Sequence, residues 1–144
     1  MNRNLKIIIV DDHALFREGL KLLIEAEEIG EVIAEAENGR IFLELLEEYT
    51  PDLVLIDIEM PVVNGLLATI KALTVMPGLK ILALTLVYNK DKYSDMINAG
   101  VMGIVLKNSG KHELEIAIKT VIAGNRYFQN EQESRININT RFSS

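Results

Sequence analysis

The sequence predicts an α/β fold in which a parallel sheet carries helices on both faces. Short apolar runs, such as residues 53–56, are typical of strands that are buried on both sides. Each run is followed by a longer segment whose apolar residues recur at helical spacing. Strand and helix alternate in this way five times along the chain, which indicates parallel strands joined by right-handed crossovers.

Four of the predicted strands are apolar through their centres, as the internal strands of a parallel sheet are. In the second strand, one face carries Val32, Ala34 and Ala36 and the other carries Ile33, Glu35 and Glu37, which indicates a half-exposed strand at one edge of the sheet. Turn-forming pairs such as Asn38-Gly39 and Pro77-Gly78 lie between the strands and the helices. The predicted strands cover residues 6–10, 32–37, 53–57, 80–85 and 102–106.

Each predicted helix has an apolar stripe that one face of the sheet could bury. In the third helix this stripe is expected to be Leu66, Ile70 and Leu73. The fourth helix has the weakest stripe, and Gly100 ends it. The predicted helices cover residues 14–28, 41–49, 65–75, 90–99 and 111–123.

The strand order 2-1-3-4-5 of flavodoxin-like folds fits this pattern, and it leaves the second and fifth strands at the edges. A chain of 144 residues is long enough for one domain with a sizeable core. Residues 125–144 are rich in Asn, Gln, Ser and Arg. We therefore expect a domain over residues 1–124, followed by a tail or linker over residues 125–144.

Composition excludes several classes of function. The net charge of −6 argues against an isolated chain that wraps nucleic acid. The chain has no cysteine, so disulfides, thiolate metal sites and cysteine nucleophiles are absent. No apolar stretch approaches the roughly 20 residues that a membrane span needs. We expect a cytoplasmic protein without membrane contact.

Polar residues follow the apolar strands at the point where each strand ends. These residues are Asp11, Asp12, Asp57, Thr85 and Lys107. Because the carboxyl ends of parallel strands share one edge of the sheet, we expect their side chains to meet in one crevice. Three carboxylates repel one another unless a cation joins them. The oxygen-rich donor set is typical of Mg²⁺, so we expect magnesium as the cofactor.

This combination of groups suits phosphoryl transfer, in which catalysis is mostly positioning and charge neutralisation. A carboxylate can itself be the nucleophile and form an aspartyl-phosphate. Asp57 is the expected nucleophile, because it stands alone at the end of the central strand. Lys107 can offer a positive charge to one phosphoryl oxygen, and Thr85 can donate a hydrogen bond to another.

The same residues, at this spacing, resemble the receiver domain of two-component response regulators over about residues 5–124. The opening segment 11–20 and the closing segment 124–128 are similar to the subfamily in which a LuxR-type helix-turn-helix follows the receiver. The residues that carry the resemblance are Asp11, Asp12, Asp57, Met60, Pro61, Gly65, Thr85 and Lys107.

The resemblance implies a role for each matched residue. Asp57 would accept a phosphoryl group from the phosphohistidine of a sensor histidine kinase. Asp12, Asp57 and the backbone carbonyl of Glu59 would bind Mg²⁺ directly, and Asp11 would act through water. A second pair, Thr85 and Lys107, would bind the phosphoryl group and report its arrival.

The resemblance also implies a signalling switch rather than an enzyme, one that catalyses only its own phosphorylation and dephosphorylation. DNA would be contacted through an effector domain that is not in this chain, and homodimerisation is open. The family often has an aromatic switch residue where this chain has Ile104. It usually has a small residue where this chain has Leu86, and often Asn where it has Glu59.

Other interpretations remain open at this point. Taken singly, the acid pair could cap a helix, Thr85 could end a strand and Lys107 could be solvated. His13 follows the acids at the start of a helix, and we expect it on the surface. A small Mg²⁺-dependent phosphatase with Glu59 as acid, a receiver-like module that is never phosphorylated, and a flavin carrier of the same topology are the competing functions. The last would place flavin phosphate beside two acids.

Overall fold

The computed structural model describes residues 5–129 as a six-stranded parallel sheet with helices on both faces. The strands are β1 (Lys6–Val10), β2 (Glu31–Ala36), β3 (Leu53–Asp57), β4 (Lys80–Thr85), β5 (Gly103–Leu106) and β6 (Tyr127–Phe128). The helices are α1 (Ala14–Ala26), α2 (Gly39–Leu45), α3 (Gly65–Val75), α4 (Lys90–Ala99) and α5 (Lys111–Ile122). Within residues 5–129, none of these helices has the length and apolar character needed to cross a membrane.

The strands lie in the order β2-β1-β3-β4-β5-β6, so the predicted flavodoxin-like fold and its first five positions are confirmed. β3 pairs with β1 and β4 and is buried along its whole length. Its alternate side chains enter two separate cores. Val54 and Ile56 pack on the side of α2, α3 and α4, whereas Leu53 and Leu55 pack on the side of α1 and α5. The end of β3 is therefore held from both faces.

The sheet has a sixth strand that the sequence analysis missed. Tyr127 and Phe128 pair in parallel with Gly103 and Ile104, so β5 is not an edge strand. The two aromatic rings alternate, as strand side chains do: Tyr127 packs into one core and Phe128 into the other. The expected end of the domain at residue 124 is therefore too early, because two-sided packing extends the fold to β6. Residues 130–144, the rest of the expected tail, lie outside the described residues.

The helices differ from the prediction in their ends and in one packing face. α1 ends at Ala26 and α2 spans Gly39–Leu45, so both are shorter at their C-termini than predicted. The predicted stripe of α3 is wrong at Ile70, which is 45% exposed, whereas Leu66 and Leu73 pack against the core as expected. α3 instead buries a face of small residues that lets its backbone approach the sheet closely: Gly65, Ala68, Thr69 and Ala72.

Candidate functional site

The carboxyl ends of β1, β3, β4 and β5 converge at one edge of the sheet. Asp57 is the last residue of β3 and Thr85 the last of β4. Asp57 lies opposite Leu84 in the register, and Thr85 opposite Leu106. The backbone amide of Lys107 donates to the Thr85 carbonyl at 2.7 Å, which places Lys107 directly after β5 beside the end of β4. The pairing of parallel strands thus assembles the site.

Lys107 bridges two buried carboxylates. Its Nζ lies 2.7 Å from Oδ2 of Asp11 and 3.3 Å from Oδ2 of Asp57, and the Lys107 side chain is 5% exposed. The same Nζ stands 4.6 Å from the ring centroid of Phe16. A cation in this position offsets the mutual repulsion of the two acids and the cost of burying them.

The pKa of Asp57 is shifted by its surroundings. Burial raises its pKa from 3.8 to about 6, because the charged carboxylate loses water. The Glu59 amide, which donates to Oδ1 at 3.1 Å, and the Lys107 ammonium lower the pKa in part, whereas Asp11 raises it. Near neutral pH, Asp57 is therefore an ionised carboxylate held in a largely dry site, where its nucleophilic oxygen is poorly hydrated.

Gly65 fixes the loop beyond Asp57. A side-chain carbon at this position would lie 2.4 Å from the Asp57 carbonyl oxygen, so only glycine allows α3 to begin there. The Gly65 amide donates to the Ile58 carbonyl at 2.9 Å. The start of α3 therefore packs against the end of β3, next to Asp57.

Three carboxylates and one imidazole form the group that could hold a metal ion. Ligand atoms of Asp11, Asp12, His13 and Asp57 all lie within 4.8 Å of one another. Asp11 and Asp57 are buried, and Asp12 and His13 are exposed. Clustered carboxylate oxygens at the open end of a crevice fit the oxygen ligands and retained waters of Mg²⁺.

His13 is exposed, as the sequence analysis expected, but it is also part of the acid cluster. Its Nδ1 lies 3.1 Å from Oδ1 of Asp11 and 3.4 Å from Oδ1 of Asp12, while its side chain is 59% exposed. The His13 amide also donates to Oδ1 of Asp11 at 2.8 Å. The position of His13 directly after Asp11 and Asp12 was the feature of the sequence that could have predicted its place in the acid cluster.

The side chain of Glu59 points away from the acid cluster. It forms an ion pair with Lys92 of α4, and both side chains are nearly half exposed. Glu59 therefore contributes its amide to Asp57, whereas the metal role that the resemblance implies for it would involve the backbone carbonyl. A link between the loop after β3 and α4 was not anticipated from the sequence, because nothing in the spacing pairs these two residues.

Thr85 is buried, and its hydroxyl is engaged by the loop that follows it. Oγ1 donates to the Val87 carbonyl at 3.2 Å. Leu86 and Val87 are 54% and 63% exposed, so this loop presents apolar side chains to solvent. Ile104, at the position of the aromatic switch residue, is fully buried.

Comparison with known proteins identifies the same architecture. A family model for the response regulator receiver domain matches residues 7–119. The transcriptional regulatory protein DegU of Brevibacillus brevis is 38% identical over 128 residues, which cover 88% of this chain and 54% of that protein. The response regulator GacA of Pseudomonas aeruginosa is 36% identical over 123 residues, which cover 85% of this chain and 58% of that protein. The chain thus spans about half the length of the curated relatives it matches.

Solved structures of response regulators have the same fold as this chain. A LuxR-family two-component response regulator from an Aurantimonas species superposes with a TM-score of 0.86 at 32% identity, covering 93% of this chain and 96% of that one. A LuxR-family DNA-binding response regulator from Staphylococcus aureus gives 0.77 at 28% identity, covering 82% of this chain and 98% of that one. The strand order, the acid crevice and these matches together lead to one conclusion: the chain belongs to the response regulator receiver domain family.

Proposed function

We propose that Asp57 accepts a phosphoryl group from the phosphohistidine of a sensor histidine kinase, and that the receiver thereby switches an output. The observation that carries this proposal is the buried Asp57 carboxylate, with its raised pKa, 3.3 Å from the Lys107 ammonium. Buried side chains with shifted pKa values that lie beside a charged partner occur frequently at functional sites. The family membership of the chain supports the same role.

Asp11, Asp12, Asp57 and the Glu59 carbonyl are the residues that would hold Mg²⁺, and their carboxylate oxygens suit it. The bound ion would supply positive charge to the phosphoryl oxygens. An Asp57 oxygen attacks phosphorus, the bond from phosphorus to the donor imidazole nitrogen breaks, and that nitrogen keeps the electron pair. Lys107 then neutralises a phosphoryl oxygen at the place where it now neutralises Asp57.

The Thr85 hydroxyl is the residue that would report phosphorylation. It now donates to the Val87 carbonyl, so binding a phosphoryl oxygen requires it to leave that partner. The loop carrying Leu86 and Val87 would then rearrange together with α4. A change of only a few kcal/mol in the balance between two states is enough for such a switch.

The output lies in the rest of the protein. The relatives named above are transcriptional or response regulators of about twice the matched length. We propose that residues 1–124 with β6 form the receiver, that the remaining residues up to 144 link it to an effector domain, and that DNA is contacted through that domain. A cytoplasmic location completes the proposal.

The competing interpretation as a phosphatase is not supported, because the carboxylate of its acid candidate, Glu59, is occupied by Lys92. The test is incubation with phosphoramidate as small phosphodonor, with Mg²⁺ and with a chelator. The chain should gain one phosphoryl group only with Mg²⁺. Asp57→Asn should gain none, and the exposed Asp95→Asn should behave as wild type. Continuous turnover of a phosphate ester by the wild type would favour the phosphatase instead.

A further inference from the structure

Asp11 is held at every polar atom it possesses. Its amide donates to the Ala36 carbonyl at 3.0 Å. Its Oδ1 accepts from the His13 amide at 2.8 Å, and its Oδ2 lies 2.7 Å from the Lys107 ammonium. The remaining atom, the carbonyl oxygen, accepts a hydrogen bond from Nη1 of Arg17 at 2.5 Å. Arg17 thus completes the restraint of this residue from outside the acid cluster.

Arg17 connects three parts of the fold through one guanidinium group. It lies in the first turn of α1, and its Nε donates to Oε1 of Glu35 in β2 at 3.1 Å. The Arg17 side chain is only 17% exposed, and its bond to the Asp11 carbonyl is partly buried, which strengthens that bond. The planar fork suits this double task, which an ammonium group cannot reproduce.

The Asp11 carbonyl belongs to the peptide group that joins Asp11 to Asp12. Because a peptide group is planar, a bond that holds its oxygen also fixes the direction in which the chain enters Asp12. Asp12 itself is exposed, and within residues 5–129 its side chain pairs only with the His13 ring, whose Nδ1 lies 3.4 Å from Oδ1 of Asp12. Its carboxylate is therefore directed mainly by its backbone.

We propose that Arg17 is a positioning residue for the metal site: by holding the Asp11 carbonyl, it directs the Asp12 carboxylate at the ion. This inference rests on the proposed magnesium-dependent function. It assigns a role in ion binding to a residue outside the ligand set.

Loss of the Arg17 charge and loss of its hydrogen bond to the Asp11 carbonyl are expected to change Mg²⁺ affinity in opposite directions. A guanidinium near the acids repels a divalent cation, so removing its charge alone would strengthen Mg²⁺ binding. Removing the hydrogen bond to the carbonyl would weaken Mg²⁺ binding, because Asp12 loses its orientation. Loss of an outer partner of a metal ligand typically weakens affinity by about 10- to 100-fold.

The chain supplies a matched control at Lys21. Its Nζ lies 3.9 Å from Oε2 of the same Glu35, and no bond from Lys21 to Asp11 is recorded among the described residues. Lys21→Gln therefore removes a cation beside Glu35 and leaves the carbonyl bond intact. It reports the loss of a positive charge beside Glu35 without the loss of the bond to the Asp11 carbonyl.

The experiment is titration of the whole chain with MgCl₂ by calorimetry, with thermal unfolding without metal to confirm folding. We expect Arg17→Met to bind Mg²⁺ about 10-fold more weakly than wild type, and Lys21→Gln to bind equally or up to about twofold more tightly. Arg17→Lys, which keeps the charge and loses the fork, should also bind more weakly, and it serves if Arg17→Met does not fold.

Equal or tighter binding by the folded Arg17 variants would overturn the inference and leave the proposed function standing. A wild-type chain without affinity for Mg²⁺ would instead overturn the proposed function, and this inference with it.

Discussion

The two sides of the crevice are built differently. On the side of β1 and α1, Asp11 is fully buried, and its amide, its carbonyl and both carboxylate oxygens have partners. On the side of β4 and α4, the Thr85 hydroxyl has a single long bond to the loop. The next two residues, Leu86 and Val87, expose more than half of their side chains. One side is closely restrained and the other is lightly held.

This difference matches the two tasks of the proposed switch. Accepting a phosphoryl group needs oxygens held in fixed places before the reaction, since preorganised charges cost no rearrangement when it occurs. Reporting the event needs a segment that can move at small cost, and such segments have few buried contacts. In the proposed switch, the restrained side therefore binds the phosphoryl group, and the lightly held side responds to it. Changes on the restrained side should therefore alter the free energy of unfolding strongly, and changes on the lightly held side should alter it little.

Lys107→Met should produce the largest change, because it leaves Asp11 and Asp57 buried together without a cation. Breaking a buried ion pair typically costs about 3 to 5 kcal/mol. The variant should recover stability as the pH falls towards 5, since Asp57 then takes up a proton. Urea unfolding at several pH values measures both effects.

Lys111→Met is the control for this change, because Lys111 pairs with Glu27 in an exposed position. Exposed pairs contribute about 0 to 1 kcal/mol. If Lys107→Met and Lys111→Met lowered the free energy of unfolding by the same small amount, the contacts of Lys107 would not restrain the side of β1 and α1.

Asp57→Asn should stabilise the metal-free chain at neutral pH. The pKa of Asp57 is about 6 in the fold, against an ordinary value of 3.8 for an aspartate in water, so its ionisation opposes folding. The penalty is absent below pH 4, develops as the pH rises from 4 to 6 and is constant above 6. We expect a gain of about 3 kcal/mol at pH 7.

Unfolding of wild type and Asp57→Asn at pH 4 and pH 7 tests this directly. The two stabilities should converge at pH 4. A gain that was equal at both pH values would show that charge burial is not its cause.

Thr85→Val should have a smaller effect on stability, about 1 kcal/mol or less, because only one long hydrogen bond is lost. Phosphorylation of Asp57 should persist, whereas the loop over residues 86–89 should no longer respond to it. Hydrogen exchange of that loop, with and without phosphoramidate, measures the response. Thr69→Val is the control, because the Thr69 hydroxyl is buried in α3 without a recorded hydrogen-bond partner. A normal loop response in Thr85→Val would remove Thr85 from the switch.

Lys92→Ala should produce the smallest change. Its ion pair with Glu59 is nearly half exposed on both sides, so we expect a loss of only a few tenths of a kcal/mol, which salt should abolish. Lys90→Ala in the same helix is the control, and thermal unfolding at low and high salt is the measurement. A salt-resistant loss above about 1 kcal/mol would place α4 on the restrained side.

Most of the fold and the meeting of the site residues could be predicted from the sequence. Apolar runs define β1, β3, β4 and β5 because strands buried on both faces need no alternation. Once the strands are parallel, polar residues such as Asp57 and Thr85 must share one edge. The site is therefore a consequence of topology, which is the part of a structure that hydrophobic pattern determines best.

The remaining features depend on packing that pattern does not record. The two residues of β6 are too few to show a hydrophobic period. Their place in the sheet follows from the packing of Phe128 and Tyr127 into the two cores. α3 buries Ala68 and Ala72 because small side chains allow close approach, whereas a hydrophobic stripe favours large ones. The pairing of Glu59 with Lys92 depends on where long side chains are placed across a loop.

The most direct test is hydrogen exchange of the whole chain in constant Mg²⁺ before and after phosphorylation by phosphoramidate, with Asp57→Asn treated in parallel. The account predicts altered exchange over residues 86–99, unchanged exchange over residues 11–17, and no change in Asp57→Asn. Equal changes on both sides of the crevice, or any response in Asp57→Asn, would contradict it.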